Sequence, residues 1–335
     1  MRYTILGGTG IRVSEFCLGT MTFGQNWGWG APADTCAAVL DAFAAAGGNF
    51  LDTANIYTDG ESERILGRLL DGRRDEFVLG TKYNGMTRPG DVNSAGNHRK
   101  SLVAALEDSL RRLRTDYVDI LWVHARDVWT PVPEVLRALD DQVRAGKVRA
   151  VGVSDWPAWQ IAQANTLAEL RGWSAFAGMQ ARYNLLDRTP ERDLLPMARD
   201  FGLTTLAWGP LAEGRLTGKY RSGAAGRLDV YDWGGADDRS DGIIAELVRV
   251  ADGLGRAPAQ VALAWLRSRS VLPILGCTSP DQLTANLGAL DVELDVESLT
   301  RLDEASRVEL GFPHDFLLLE GIRRIVYGDR GDLID

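Results

Sequence analysis

Four residues of unlike chemistry stand at or just after apolar runs. Asp52 closes "NFLD", Lys82 closes "FVLGTK" and His124 closes "YVDILWVH". Tyr57 follows Asp52 by five residues, within "DTANIYTDGESE". A tyrosine in water has a pKa of about 10, which makes it a reluctant acid. A lysine nearby favours the phenolate and is expected to lower that value. A carboxylate would hold the ammonium in place. A histidine beside the phenol can donate a hydrogen bond to a bound carbonyl oxygen or relay a proton. Together the four would protonate a carbonyl oxygen while something else attacks its carbon. None of them is an obvious nucleophile, so the attacking species is expected from a cofactor, and hydride from a nicotinamide fits. Singly, each is an ordinary polar residue at a strand end. The joint occurrence at three consecutive strand ends carries the reading.

Something must aim these four at one place. Eight short apolar runs read as buried strands, at 16–21, 49–53, 77–82, 117–124, 148–154, 176–180, 203–208 and 271–276. Stretches with helical period lie between them, such as "DTCAAVLDAFAAAG" and "HRKSLVAALEDSLRRL". Gly47, Gly146 and Gly202 fall where helix C-caps belong. Strict alternation implies parallel strands with crossover helices. Eight such units predict an α/β fold, a (β/α)8 TIM barrel, and 335 residues suit its usual length of roughly 250 plus insertions. The rival is an open doubly wound sheet, but no Pro/Gly/Ser-rich linker divides the chain. A single domain over 1–335 is expected. Its parts are a β-hairpin at about 2–14 capping the barrel bottom, the barrel at about 16–300, and a tail from about 305. In such a barrel the site lies at the C-terminal ends of the strands.

Composition narrows the partners. The net charge is −9 with no long Lys or Arg run, which argues against nucleic acid and anionic membranes. Cys17, Cys36 and Cys277 are odd in number and far apart, fitting neither a disulfide framework nor a metal site. His98, His124 and His314 show no metal-ligand spacing. The apolar part of "MRYTILGGTG" is too short for a signal peptide, and no run approaches a membrane span. A cytoplasmic protein of open oligomeric state is expected. Two partial motifs fail. "GGTG" at 7–10 leads into a strand-like segment rather than a helix, and "GVSDW" at 152–156 lacks the final glycine of a hydrolase elbow.

The segments "DTANIYTDGESE", "LGTKY", "TDYVDILWVH", "GKVRAVGVSDW", "MQARYNLLDR", "AWGPLAEGRLTGKY" and "PILGCTSPDQLTANL" resemble, in order, the signatures of the aldo-keto reductase family. The resemblance covers about 2–300. It implies NADPH-linked reduction of aldehydes and ketones, with Tyr57 as general acid supported by Asp52, Lys82 and His124. It places Ser154, Asp155 and Gln180 on the nicotinamide carboxamide and Trp208 stacked on the ring. The family most often has Asn where Asp155 stands, and a carboxylate cannot donate to the amide oxygen. Gly209, Pro210, Leu211 and Gly214 fall on the loop that passes the pyrophosphate, with Lys219 neutralising charge. Gly276, Thr278, Gln282 and Asn286 fall at a helix start facing the adenosine phosphate. Gly19, Thr20 and Met21 fit the first cofactor-lining turn. Many NADPH-dependent members carry an Arg within the segment matching 277–281, and this chain has none there. NADH therefore stands beside NADPH as a possible cofactor.

Aromatic residues are the substrate-facing candidates. Trp27 and Trp129 are expected to wall an apolar pocket for a flat carbonyl compound, and Trp156, Tyr231 and Trp233 lie on the same side. Some family members serve as cofactor-binding, channel-associated regulatory subunits, so that remains the alternative to an enzyme.

Overall fold

The structure is a computed structural model that describes residues 1–219 and 237–333. Two short strands, β1 (Tyr3–Ile5) and β2 (Arg12–Ser14), pair antiparallel around the glycine-rich turn. Eight parallel strands then close a barrel. They are β3 (Cys17–Gly19), β4 (Phe50–Asp52), β5 (Val78–Tyr83), β6 (Val118–Val123), β7 (Val148–Ser154), β8 (Phe176–Arg182), β9 (Thr204–Trp208) and β10 (Leu272–Gly276). The circle runs in chain order, and β10 closes it against β3. The eight-stranded barrel and its preceding hairpin are those expected from the alternation of apolar runs.

The helices between strands form the outer ring. Those used below are α1 (Ala33–Ala45), α2 (Glu61–Leu69), α3 (Arg99–Leu113), α4 (Val132–Arg144), α5 (Ala158–Arg171), α6 (Leu194–Asp200), α7 (Asp238–Leu254), α8 (Pro258–Ser268) and α9 (Pro280–Leu287). Beyond the barrel come α10 (Val296–Ser306), α11 (His314–Leu317) and α12 (Glu320–Tyr327). The apolar faces of the ring helices meet the outer faces of the strands, with Val39, Leu106, Leu136 and Ile161 fully buried there.

A second core fills the barrel itself. Trp122 lies at its centre with Phe50, Ile120 and Leu206, and Leu6 and Val13 of the hairpin seal this core from below. Trp122 fits because three neighbouring positions carry no side chain. A Cβ at Gly152 would stand 2.2 Å from its ring, one at Gly80 2.5 Å and one at Gly178 3.0 Å. The hairpin is locked to the barrel by Gly7, whose N–H donates to Thr204 Oγ1 at 2.8 Å. Among the described residues no helix is long and apolar enough to cross a membrane, and no cluster of ligating side chains could hold a metal.

Candidate active site

Parallel pairing brings the strand ends into a ring. Asp52 pairs with Gly19, Gly19 with Gly276, and Ser154 with Gln180. Asp52 ends β4, Lys82 is the penultimate residue of β5, and His124 directly follows β6. These three and Tyr57, predicted from sequence to act together, are brought together.

Lys82 is the hub. Its ammonium donates to Asp52 Oδ2, to Thr53 O at 3.0 Å and to Tyr57 Oη at 3.0 Å. Asp52 is buried, and its other oxygen accepts from Gln180 Nε2 at 2.7 Å. The edge of one ring faces the other between Tyr57 and His124, with centroids 6.0 Å apart and planes at 82°. Burial alone would favour a neutral Lys82, but Asp52 and Tyr57 outweigh it and hold the ammonium above its ordinary value. Burial lowers the His124 pKa to about 3, and the Lys82 charge adds to this, so its imidazole is neutral near pH 7. Burial pushes the Tyr57 phenol up by more than Lys82 pulls it down. The sequence reading expected Lys82 to win. The structure reverses that sign, because burial of the phenol outweighs the pull of Lys82 and the negative charge of Asp52 adds to the burial.

The backbone that carries Tyr57 is unusual. Thr58 and Asp59 take φ of 47° and 58°, conformations that side-chain-bearing residues rarely adopt, and Gly60 follows at 80°. Such a turn persists only where its surroundings hold it. Thr58 Oγ1 donates to Phe23 O at 2.8 Å and accepts from Ser62 N at 3.0 Å. Asn26 Nδ2 donates to Thr58 O at 3.1 Å, and Trp27 Nε1 to Asp59 Oδ1 at 3.3 Å. Trp27, expected as a pocket wall, thus braces the tyrosine loop. The next helix starts at Glu61, with Glu61 and Glu63 in its first turn, and the Ser62 N–H is taken by Thr58 Oγ1. Ser62 itself is fully buried, donating to Thr20 O at 2.8 Å and sharing hydroxyl contacts with Thr20 and Thr53.

The other expected positions fall around the same rim. Thr20 is buried and its N–H donates to Asp52 O at 2.9 Å, between Gly19 and a half-buried Met21. Ser154 and Gln180 are buried at strand ends. Trp208 is half-buried at the end of β9, and its Nε1 donates to Asp155 Oδ1 at 3.0 Å. Asp155 lies in the left-handed region at φ 53°, and burial raises its carboxyl above the usual range. Gly209, Ala212, Glu213, Gly214 and Gly218 all have positive φ, so the chain around Pro210 and Leu211 turns tightly towards Lys219. Gly276 is exposed, and a Cβ there would meet nothing nearer than Thr22 at 3.9 Å. Thr278 donates both its N–H and its hydroxyl to Gln282 Oε1, at 2.9 and 3.0 Å, and Asn286 contacts Cys277 Sγ at 3.6 Å.

Two aromatic candidates part from the rim. Trp129 is 90% exposed on the loop after β6, so it walls nothing in this structure. Trp156 is buried between Arg126, stacked on it at 4.8 Å, and Phe176. Tyr231 and Trp233 lie outside the described residues.

Sequence reading missed two features. Gln180 holds Asp52 across 128 positions of sequence, which no local signal reveals. Glu63, fully buried, accepts from Thr81 Oγ1 and from Arg112 Nε, each at 2.6 Å. Its neighbours Glu61, Ser62 and Arg64 are polar, so the sequence gives no local sign that this carboxylate is buried.

The sequence model of the Aldo/keto reductase family matches residues 15–307. The chain is 40% identical to norsolorinic acid reductase stcV of Emericella nidulans, over 92% of this chain and 82% of that protein. It is 36% identical to aldo-keto reductase ausK of Aspergillus calidoustus, over 94% and 85%. It is 34% identical to aryl-alcohol dehydrogenase [NADP(+)] of Phanerodontia chrysosporium, over 97% and 88%. The chain therefore belongs to the aldo/keto reductase family, and it is an NAD(P)H-dependent oxidoreductase.

Proposed function

We propose that the protein reduces aryl aldehydes or ketones to alcohols, with Tyr57 as the general acid and NADPH as the preferred cofactor. The observation that carries the acid assignment is the direction of one hydrogen bond. Lys82 donates to Tyr57 Oη, so the phenol's own proton is left to give to a carbonyl oxygen. The raised phenol pKa keeps that proton in place until it is needed. Lys82 then stabilises the phenolate that remains, and Asp52 keeps Lys82 in position. His124, being neutral, can donate a hydrogen bond to the same carbonyl oxygen without adding charge. The half-buried mouth limits water around the reacting atoms, which strengthens these interactions.

A nicotinamide cofactor, when bound, supplies the hydride that the carbonyl carbon accepts. The donor set supports its placement. Ser154 and Gln180 offer a hydroxyl and a carboxamide for a carboxamide, and Trp208 offers a flat indole face beside them. The turns around Gly209 and Gly214 and the open edge at Gly276 allow a phosphate chain to approach the backbone closely. Thr278 and the start of α9 would receive the adenosine phosphate, with Lys219 beside the pyrophosphate. Asp155 departs from the common pattern. Its carboxylate is engaged by Trp208, so its role is to orient the indole rather than to hold the carboxamide. The aryl substrate class rests on the likeness to the aryl-alcohol dehydrogenase of Phanerodontia chrysosporium, and the NADP(+) of that relative supports the cofactor choice. Trp27 lies near the mouth as one aromatic surface.

The test is absorbance loss of NADPH, then of NADH, with aryl and alkyl aldehydes and ketones. Tyr57→Phe should keep cofactor affinity and lose about 10²–10⁴ in kcat. Turnover unchanged in that variant would remove Tyr57 from the chemistry. Tight cofactor binding with no turnover on any carbonyl would favour a regulatory subunit instead.

A further inference from the structure

The charges around the mouth do not cancel. Lys82 and Asp52 form a buried ion pair, and Arg182 is paired with Asp187 at 3.5 Å. His124 is neutral near pH 7, and burial keeps the Tyr57 phenol protonated. Asp155 is left over. Its partners are neutral, the Trp208 indole N–H at 3.0 Å and the Ser154 hydroxyl. Among the described residues no lysine or arginine forms an ion pair with it, and the cation whose charge acts on it, Lys82, is already bonded to Asp52. The carboxylate directly follows β7 and is open to solvent at the rim. Its charge reaches the reacting groups, since it acts on the Tyr57 phenol as well.

We propose that the Asp155 carboxylate is the counter-charge of the oxidised nicotinamide, favouring NADP+ over NADPH in binding and favouring hydride transfer to the carbonyl. This role rests on the cofactor placement proposed above, with the ring on Trp208 and the carboxamide at Ser154 and Gln180. In carbonyl reduction one proton and two electrons pass as hydride from the ring to the carbonyl carbon, and the carbonyl π pair takes the Tyr57 proton. The ring goes from neutral to positive, and Tyr57 goes from phenol to phenolate. Lys82 stands 3.0 Å from the phenolate oxygen, and Asp155 is bonded to the indole that carries the ring. Each developing charge thus meets a fixed charge of opposite sign. At an effective dielectric of about 20, a unit charge within about 8 Å is worth on the order of tenfold in affinity. The phosphates are common to both forms of the cofactor, so the ratio of their dissociation constants reports the ring alone.

Isothermal titration calorimetry with NADP+ and with NADPH, on wild type and Asp155→Asn, tests this without turnover. Asn keeps an oxygen for the Trp208 N–H and tolerates the left-handed backbone at φ 53°, so the change is one of charge. Asp155→Asn should weaken NADP+ by about tenfold and leave NADPH close to wild type. Single-turnover hydride transfer from bound NADPH to an aryl aldehyde should slow by about the same factor. An unchanged ratio overturns the proposal, as does an equal loss for both forms, which is what a disturbed indole would give. A transfer rate equal to wild type overturns it as well. Wild type that binds neither NADP(H) nor NAD(H) removes the cofactor placement itself, and this role with it. The binding ratio does not involve the Tyr57 proton, so the acid assignment and this one fail separately.

Discussion

Lys82 organises the site because burial leaves it three acceptors for three protons. An ammonium has three N–H donors, and Asp52, Thr53 O and Tyr57 take one each. No rotation about the Cε–Nζ bond can spare a proton without breaking one of these contacts. The phenol is thereby held at one end by a fixed charge and left free at the other. His124 answers to the same field. An ordinary imidazole titrates near 6.5, and here burial and Lys82 lower that to about 3. Below pH 6.5 the unfolded chain takes up a proton at this position, and the folded chain does not until about pH 3. The stability this group contributes is therefore complete above 6.5 and is lost as pH falls through that window. Denaturant titrations should show His124→Gln losing less stability than wild type between pH 6.5 and 4. The wild-type kcat profile should carry no inflection near 6.5 that disappears in His124→Gln, and finding one would mean that the imidazole titrates in the working range.

At the scale of elements, two loops and a hairpin set the geometry. The left-handed turn at Thr58 and Asp59 lifts Tyr57 over the barrel mouth, and the loop after β3 holds it there through Phe23, Asn26 and Trp27. Loops that share hydrogen bonds of this kind move together, so a change at Asn26 or Trp27 acts on the phenol without touching it. The hairpin closes the opposite end. Gly7 has φ 48°, and a Cβ there would lie 2.1 Å from Ala177 O. Gly7→Val cannot be accommodated without moving the hairpin off β8, and should cost about 1–3 kcal/mol. Thermal unfolding should fall by several degrees while KM for the carbonyl stays near wild type, since the mouth lies at the far end. A large KM change with normal stability would show that the hairpin reaches the site.

The whole molecule is a barrel filled from within by one indole. Strands of a closed barrel point alternate residues inward, and eight strands enclose only enough space for side chains to fill. Trp122 takes much of that space because Gly80, Gly152 and Gly178 give it up. Trp122→Ala would leave a cavity that the strands cannot collapse, since their pairing fixes the barrel radius. The expected cost is about 3–5 kcal/mol. Free indole should recover part of the lost stability in that variant and do nothing to wild type. A loss below 1 kcal/mol would mean that the barrel relaxes around the gap. This core lies directly below the ring of Asp52, Lys82 and His124, so the variant should also lower kcat.

How much was legible beforehand differs by residue. Asp52, Lys82 and His124 could be placed at one mouth from sequence, because parallel strands of similar length put their C-terminal ends on one face whatever the intervening helices do. The hairpin was legible for a similar reason: a glycine-rich turn between two short runs has few other folds. Gln180 on Asp52, Ser62 as a buried hub and Trp27 as a brace were not legible, because each depends on contacts between segments that share no local pattern. The sign of the Tyr57 shift could not be had either. It is a difference between burial and a neighbouring charge, and sequence reports the charge but not the burial. Residue type and order thus determine which groups face the mouth and what chemistry they can perform. Only the tertiary structure decides their protonation, their partners and the direction of each hydrogen bond, because these follow from distance and solvent exclusion.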